Sequence, residues 1–123
     1  MPLIRISHET QTGEMSAVAA DRVIAGHPRQ ASANLYSDAR EQFHCGVWQA
    51  EPGTWRVSYS EYEFCHMLAG RIRIRDQSGG EWLVSAGDSF VITAGFEGDW
   101  EVLETARKIY AIFEPAATKE VGS

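Results

Sequence analysis

The sequence predicts an all-β domain, a sandwich or barrel of short antiparallel strands, and three observations carry that reading. From Phe43 onward, apolar and β-branched runs recur at intervals of about ten residues, most of them closed by a glycine-bearing turn. Within that series Arg71-Ile72-Arg73-Ile74-Arg75 alternates strictly with period two, the mark of a half-buried antiparallel strand. Between the runs no long helical period intervenes, which argues against α/β and bundle architectures. A chain of 123 residues, 44% hydrophobic, is the size of one domain with one core.

Taken in order, residues 1–34 read as an irregular N-terminal arm. Glu14-Met15-Ser16-Ala17-Val18-Ala19-Ala20 favours a helix, Arg22 to Gly26 suits a short extended run, and His27-Pro28 with the polar tract up to Asn34 reads as a loop. The barrel is expected over 35–115. Its first strand, 43–50, stops at Glu51-Pro52-Gly53-Thr54, where proline presets one turn position and glycine supplies the next. A second strand, 55–68, ends at a glycine turn on Gly70 and is followed by 71–76. Gln77-Ser78-Gly79-Gly80 makes a hairpin to 81–85, Ala86-Gly87-Asp88 breaks the chain before 89–93, and residues 94–99 turn it again. Strands 100–103 and 107–113 complete the set, and 116–123 is a polar tail.

Composition narrows the partners. Eleven Lys plus Arg against seventeen Asp plus Glu give a net charge of -6, with no basic cluster to neutralise a row of phosphates. Nucleic acid and anionic membrane are therefore poor partners. No stretch approaches the ~20 apolar residues of a membrane span or forms a signal segment, so a cytoplasmic location is expected. Cys45 and Cys65 form neither a disulfide framework nor a C-x-x-C pair, and both are expected as free thiols.

The stretch that points to chemistry is Glu63-Phe64-Cys65-His66-Met67-Leu68-Ala69-Gly70, a lone acid heading an apolar run. In an extended chain Val57, Tyr59, Glu61, Glu63, Cys65 and Met67 share one face, while Phe64, His66 and Leu68 take the other. If Glu63 faces the interior, its carboxylate must take up a proton or meet a donor such as Tyr59, Tyr110 or Lys108. A perturbed acid of this kind is a site candidate. The two tyrosines are equally suited to holding a small polar ligand and to packing in a core. A strand covered on both faces further predicts a homodimer.

Pro52-Gly53, Glu63 with Gly70 seven positions on, Ala86-Gly87-Asp88, Gly95-Phe96 and Gly98-Asp99-Trp100 occur in an order that resembles the cupin superfamily of small β-barrels. Gly46-Val47-Trp48, Glu51-Pro52-Gly53, the run from Gly95 to Glu104 and Arg107-Lys108 are similar to the single-domain branch related to the ureidoglycine aminohydrolase cupins, the cupin_3 or DUF861 type. This resemblance implies a jelly-roll barrel with the site in its lumen. It also implies metal positions: the common set of two histidines, a glutamate and a third histidine would fall on Val57 and Tyr59 or Arg56 and Ser58, on Glu63 and on Gly98, whereas the aminohydrolase alignment puts the positions near Val57, Tyr59, Glu63 and Asp99. Two carboxylates and a phenol are a poor set for a transition ion, so no metal and no cofactor is expected.

The resemblance places Trp100 and Asp99 at the barrel mouth as ligand contacts, beside Glu63, Tyr59, Lys108 and Tyr110. Trp48, Trp55 and Trp82 read as core or interface. His66 reads as packed against a second sheet or a dimer partner, and His8, His27 and His44 carry no constellation. Cys65 lacks a histidine on its own face to make a thiolate. Two functions follow: a metal-free or weakly metal-binding barrel that binds a small polar metabolite, or an enzyme. The second would run acid/base chemistry through Glu63, Tyr59 and Tyr110 on a small amino or ureido compound, as the aminohydrolase resemblance implies.

Overall fold

The computed structural model describes residues 3–115 and contains only strands and turns over that span. Nine strands form one curled antiparallel sheet: β1 (Ser16–Ala17), β2 (Val23–Ala25), β3 (Arg29–Ser37), β4 (Phe43–Ala50), β5 (Gly53–Ser58), β6 (Tyr62–Asp76), β7 (Glu81–Ser85), β8 (Ser89–Ile92) and β9 (Glu97–Phe113). The all-β, jelly-roll expectation holds. The tail expected at 116–123 lies outside the described residues.

Two long strands, β6 and β9, pair along nearly their whole length and fold the sheet into two halves. One half runs β1-β3-β4-β9-β6-β8, using the first part of β6 and the last part of β9. The other runs β2-β5-β9-β6-β7, using the opposite ends of the same two strands. Between the halves lie Trp55, Met67, Ile72, Ile74, Trp100 and Val102, all buried. Alternation explains this directly: Ile72 and Ile74 enter the core while Arg71, Arg73 and Arg75 pair outside with Glu81, Glu101 and Glu104.

Several boundaries differ from the sequence reading, each for a physical reason. Gly70 is no hairpin turn; it is a corner inside β6, opposite Thr105 in β9, with register shifts on either side of it. Predicted strands 100–103 and 107–113 are for the same reason one strand. The expected 55–68 strand is interrupted at 59–61, where Tyr59 donates its N–H to Phe96 and accepts from Gly95 at 2.7 Å. That three-residue break preserves the face parity of Tyr59 and Glu63. The tract up to Asn34, read as loop, is mostly β3, which continues to Ser37. Helix propensity in 14–20 is overridden because Ser16 and Ala17 pair with β3 and Val18 enters the core. Thus 16–17, 23–25 and 29–34 of the expected arm are built into the sheet, and buried Pro28 packs against Gly53.

The corner dictates its own residue. Gly70 has φ +84°, and a Cβ there would lie 2.2 Å from the Thr105 carbonyl oxygen. Gly79, at φ +106° in the hairpin, would meet nothing within 4 Å. Gly70→Ala is expected to destabilise by roughly 2–4 kcal/mol in urea denaturation, against roughly 1–2 kcal/mol for Gly79→Ala, which carries the conformational cost without the collision. Equal losses would show that the corner has room to give.

Candidate ligand site in the barrel lumen

A cavity of about 240 Å³ opens between the two halves of the sheet, its walls contributed by β3, β4, β5, β6 and β9. Its floor is a buried ion pair. Lys108 on β9 reaches across to Glu63 on β6, Nζ to Oε2 at 2.9 Å, with both side chains almost fully buried. The same ammonium lies 3.4 Å from Cys65 Sγ. It also sits over two indole rings, 4.1 Å from the Trp100 centroid and 4.7 Å from that of Trp48. Trp48 and Trp100 stand edge to face at 5.5 Å, and Trp48 is pinned by a 3.0 Å bond from its Nε1–H to Gln30 Oε1.

The electrostatics follow from the burial. Burial, the largest single influence, lowers the Lys108 pKa, but the Glu63 carboxylate and Cys65 together outweigh it and hold the ammonium above its ordinary range. Burial pushes the Cys65 thiol up to about 12; Lys108 opposes that and Glu63 adds to it. At neutral pH Cys65 is therefore a thiol, unsuited to nucleophilic work. Tyr59 is raised well above its usual value, first by burial and then by the negative charge of Glu63. Burial also raises Tyr110.

Glu63, Tyr59, Trp100 and Lys108 all line the cavity. Tyr110 shares their strand face, but its hydroxyl is taken by Asn34 Oδ1 at 3.0 Å, away from the lining. Asp99 is not brought to the site. As the neighbour of inward-facing Trp100 it points outward, into a separate cleft with Arg56 and Arg75. The parity rule that placed Glu63 applies equally here. Trp100 itself is 2% exposed within β9 and lies inside the barrel rather than on a mouth-closing turn. Trp55 and Trp48 belong to the core and to the cavity wall at once, whereas Trp82 is half exposed. His66 points outward and bonds Ser89 Oγ at 2.7 Å.

The cupin metal set does not fit these residues. Val57 and Tyr59 stand where imidazoles would, Asp99 faces away, and the remaining carboxylate already carries a fixed cation. Among the described residues no three His, Cys, Asp or Glu side chains converge to hold an ion. What sequence reasoning missed was the lining outside the Glu63 stretch: Gln30 and Arg22 come from the N-terminal residues, and Trp48 meets Lys108 through strand register. For Trp48 and Arg22 no local signal existed.

A family model for the EutQ-like cupin domain matches residues 37–110. Among solved structures, a protein of unknown function in the DUF861 family from Pseudomonas syringae superposes with TM-score 0.79 at 22% identity, over 87% of this chain and 46% of that one. The chain thus spans under half the length of that relative. The Clostridium difficile EutQ protein gives TM-score 0.63 at 22% identity, covering 83% of this chain and 82% of that one. A putative ethanolamine utilization protein Q from Salmonella typhimurium gives 0.64 at 18%, covering 86% and 97%. No curated protein matches the chain.

Lys108→Met strands the Glu63 carboxylate and is expected to cost roughly 3–5 kcal/mol, while Glu63→Leu combined with Lys108→Met recovers most of it. Chemical denaturation of the two variants checks this; a mild single variant would mean the carboxylate finds another partner.

A second expectation concerns alkali. Between pH 9 and 12 the folded chain keeps the Cys65 proton that the unfolded chain loses, and above the ordinary lysine range it also keeps the Lys108 proton. The unfolded state binds fewer protons, so stability falls as pH rises through this window. Removing the thiol in Cys65→Ala should make the slope between pH 9 and 10 shallower by about 1 kcal/mol per pH unit, read from urea midpoints.

Proposed function

The chain belongs to the EutQ-like cupin domain family, and from that premise we propose that its lumen binds a small polar metabolite without a tightly held transition metal. One observation carries the reading. Trp100 Nε1 is the one buried side-chain nitrogen or oxygen among the described residues that has no hydrogen-bond partner, and Trp100 lines the cavity. A buried donor left unmade costs roughly 1–3 kcal/mol, which an acceptor atom on a ligand would recover once a small shift of the cavity wall opened the N–H to it.

The rest of the lining sets the ligand's character. Arg22 and Glu61 stand with Lys108 and Glu63 around the cavity, two charges of each sign, so the lumen exerts no strong field for an anion or a cation. Indoles and the Tyr59 ring supply flat apolar walls. At about 240 Å³ the space is below the roughly 300–1,000 Å³ of drug-sized sites. A small, nearly neutral molecule with a carbonyl or similar acceptor fits these constraints. Aminohydrolase or other acid/base chemistry would ask Glu63 to give and take a proton, and Lys108 holds that carboxylate as an ion-pair partner. The binding reading is therefore preferred.

Thermal-shift and native mass-spectrometric screening with small amides, ureido compounds, amino acids and polyols tests it. A stabilising compound is expected, with affinity for Trp100→Phe reduced roughly five- to a hundredfold and affinity for Arg71→Ala unchanged. Failure of every class, or equal binding by Trp100→Phe, overturns the proposal. Elemental analysis of the dialysed protein should find no stoichiometric zinc, manganese, iron or nickel; one equivalent lost in Glu63→Gln would reverse the metal argument.

A further inference from the structure

β7 and β8 hang from opposite ends of β6, and among the described residues neither pairs with any other strand. They are free edges of the two halves, joined by the Ala86-Gly87-Asp88 turn. At that turn the seam between them is shut, because Met67 accepts from the Gly87 N–H at 2.9 Å and donates to the Asp88 carbonyl oxygen at 2.8 Å. Away from it the two strands extend toward opposite ends of β6, and the barrel wall stays open. Register fixes what lines the gap. Trp82 opposes Ile74, while Phe90 and Ile92 oppose Cys65 and Glu63, so all three face inward with those residues. Ile74 and Ile92 are each 4% exposed there, yet Trp82 is 51% exposed. An inward-facing tryptophan is left half in water because no strand closes over it.

A cavity of about 280 Å³ occupies this opening, with no lining residue in common with the lumen cavity. Its walls are Trp82, Phe90, Phe96 and aliphatic side chains, and Asp76 and Thr93 bring the polar groups. An apolar cavity of roughly 150 Å³ is enough for benzene, so this one has room for a ring and a short substituent. Asp76 gives that substituent a partner. It follows Ile74 by two positions and so lies on the same inner face, at the end of β6. Its Oδ1 accepts from the Gly80 N–H at 2.9 Å, the Ser78 hydroxyl at 2.8 Å and the Ser78 N–H at 2.9 Å, which fixes the carboxylate and keeps its pKa below the usual value. Its Oδ2 makes no hydrogen bond among the described residues. A Cβ on Gly80 would lie 3.1 Å from that oxygen and 2.5 Å from Trp82 Cη2, so the glycine lets the indole edge and the free oxygen stand together. We propose that this seam is a second ligand site, for a molecule with one aromatic or branched alkyl group in the cavity and one hydroxyl or amine donating to Asp76 Oδ2. The same oxygen, charged and without a donor of its own, turns away a ligand carboxylate.

Titration of the isotope-labelled full chain with para-cresol, benzylamine, toluene and benzoate, followed by two-dimensional NMR, tests the proposal. Para-cresol and benzylamine are expected to bind with millimolar or tighter affinity, shifting the Trp82 and Phe90 amides and leaving those of Trp48 and Lys108 in place. Toluene, which has the ring and no donor, should bind at least about threefold more weakly, and benzoate should not saturate. Trp82→Ala removes one wall and should weaken para-cresol by about fivefold or more. Asp76→Asn keeps the Oδ1 acceptor and replaces Oδ2 by an amide donor, so benzylamine should lose its advantage over toluene. Circular dichroism reports whether the variants fold, and the position of the shifts in the unaltered chain decides the matter if they do not. Absence of saturable binding by para-cresol and benzylamine overturns the inference. So do shifts centred on the lumen residues, equal affinity for toluene and benzylamine, or affinities that neither variant changes.

Discussion

An ammonium and a carboxylate taken out of water each lose several kcal/mol of hydration, so Lys108 and Glu63 stay charged in this core only by meeting each other. Their contact joins β9 to β6, the two strands from which both halves of the sheet are hung. The indole faces of Trp48 and Trp100 over the ammonium add attraction that needs no further desolvated polar group. Burial of such a pair is poor proof of stability, since an apolar pair of the same volume would hold the strands as well or better. What the pair supplies is a fixed positive charge and its counter-charge at the bottom of a cavity.

On the proposed binding reading, that fixed charge stands where the common cupin set would place a metal ion. A divalent ion offers a ligand concentrated positive charge but demands several N, O or S donors around it. Here one lysine side chain brings a single positive charge from the strand itself, and the Glu63 carboxylate is spent on neutralising it. On that proposed reading the site would recognise by shape, aromatic surface and the unfilled hydrogen bond of Trp100 Nε1 rather than by Lewis acidity. Cys65, held as a thiol by the same burial, packs against the ammonium and contributes no nucleophile.

What the sequence made legible was local. Period-two alternation grouped Glu63, Cys65 and Met67 on one face and set Ile72 and Ile74 opposite the arginines, and the structure turns both apolar-rich faces inward. The need of a buried carboxylate for a donor named Lys108 as a candidate, beside Tyr59 and Tyr110. Register was not legible, and most of the errors come from it. Gly70 looked like a turn because a left-handed glycine marks both a reversal of direction and a corner within a strand, and only the partner strand distinguishes them. Once β9 was split in two, the eight-residue spacing that puts Trp100 and Lys108 on one face was hidden, and so was the outward direction of Asp99. The N-terminal residues hid for a different reason. Strands of two or three residues carry too little pattern to outweigh an alanine-rich stretch, and their place is set by Val18 and Pro28 reaching the core.

One strand, β6, carries most of this organisation, and its pattern leaves no freedom in register. A slip of one residue would turn Glu63 and Cys65 to solvent and bring Phe64 and His66 against Lys108, stranding the ammonium in the core. Beyond the Gly70 corner the same slip would bury Arg71, Arg73 and Arg75 and expose Ile72 and Ile74. The inner face of β6 is thus fixed by the ion pair and the isoleucines together. The outer face is free of that constraint and yet differs sharply between its halves, charged after the corner and apolar before it. Nothing in the barrel's own packing requires aromatic residues outside the first half; water accepts arginine and glutamate there as readily as it does outside the second.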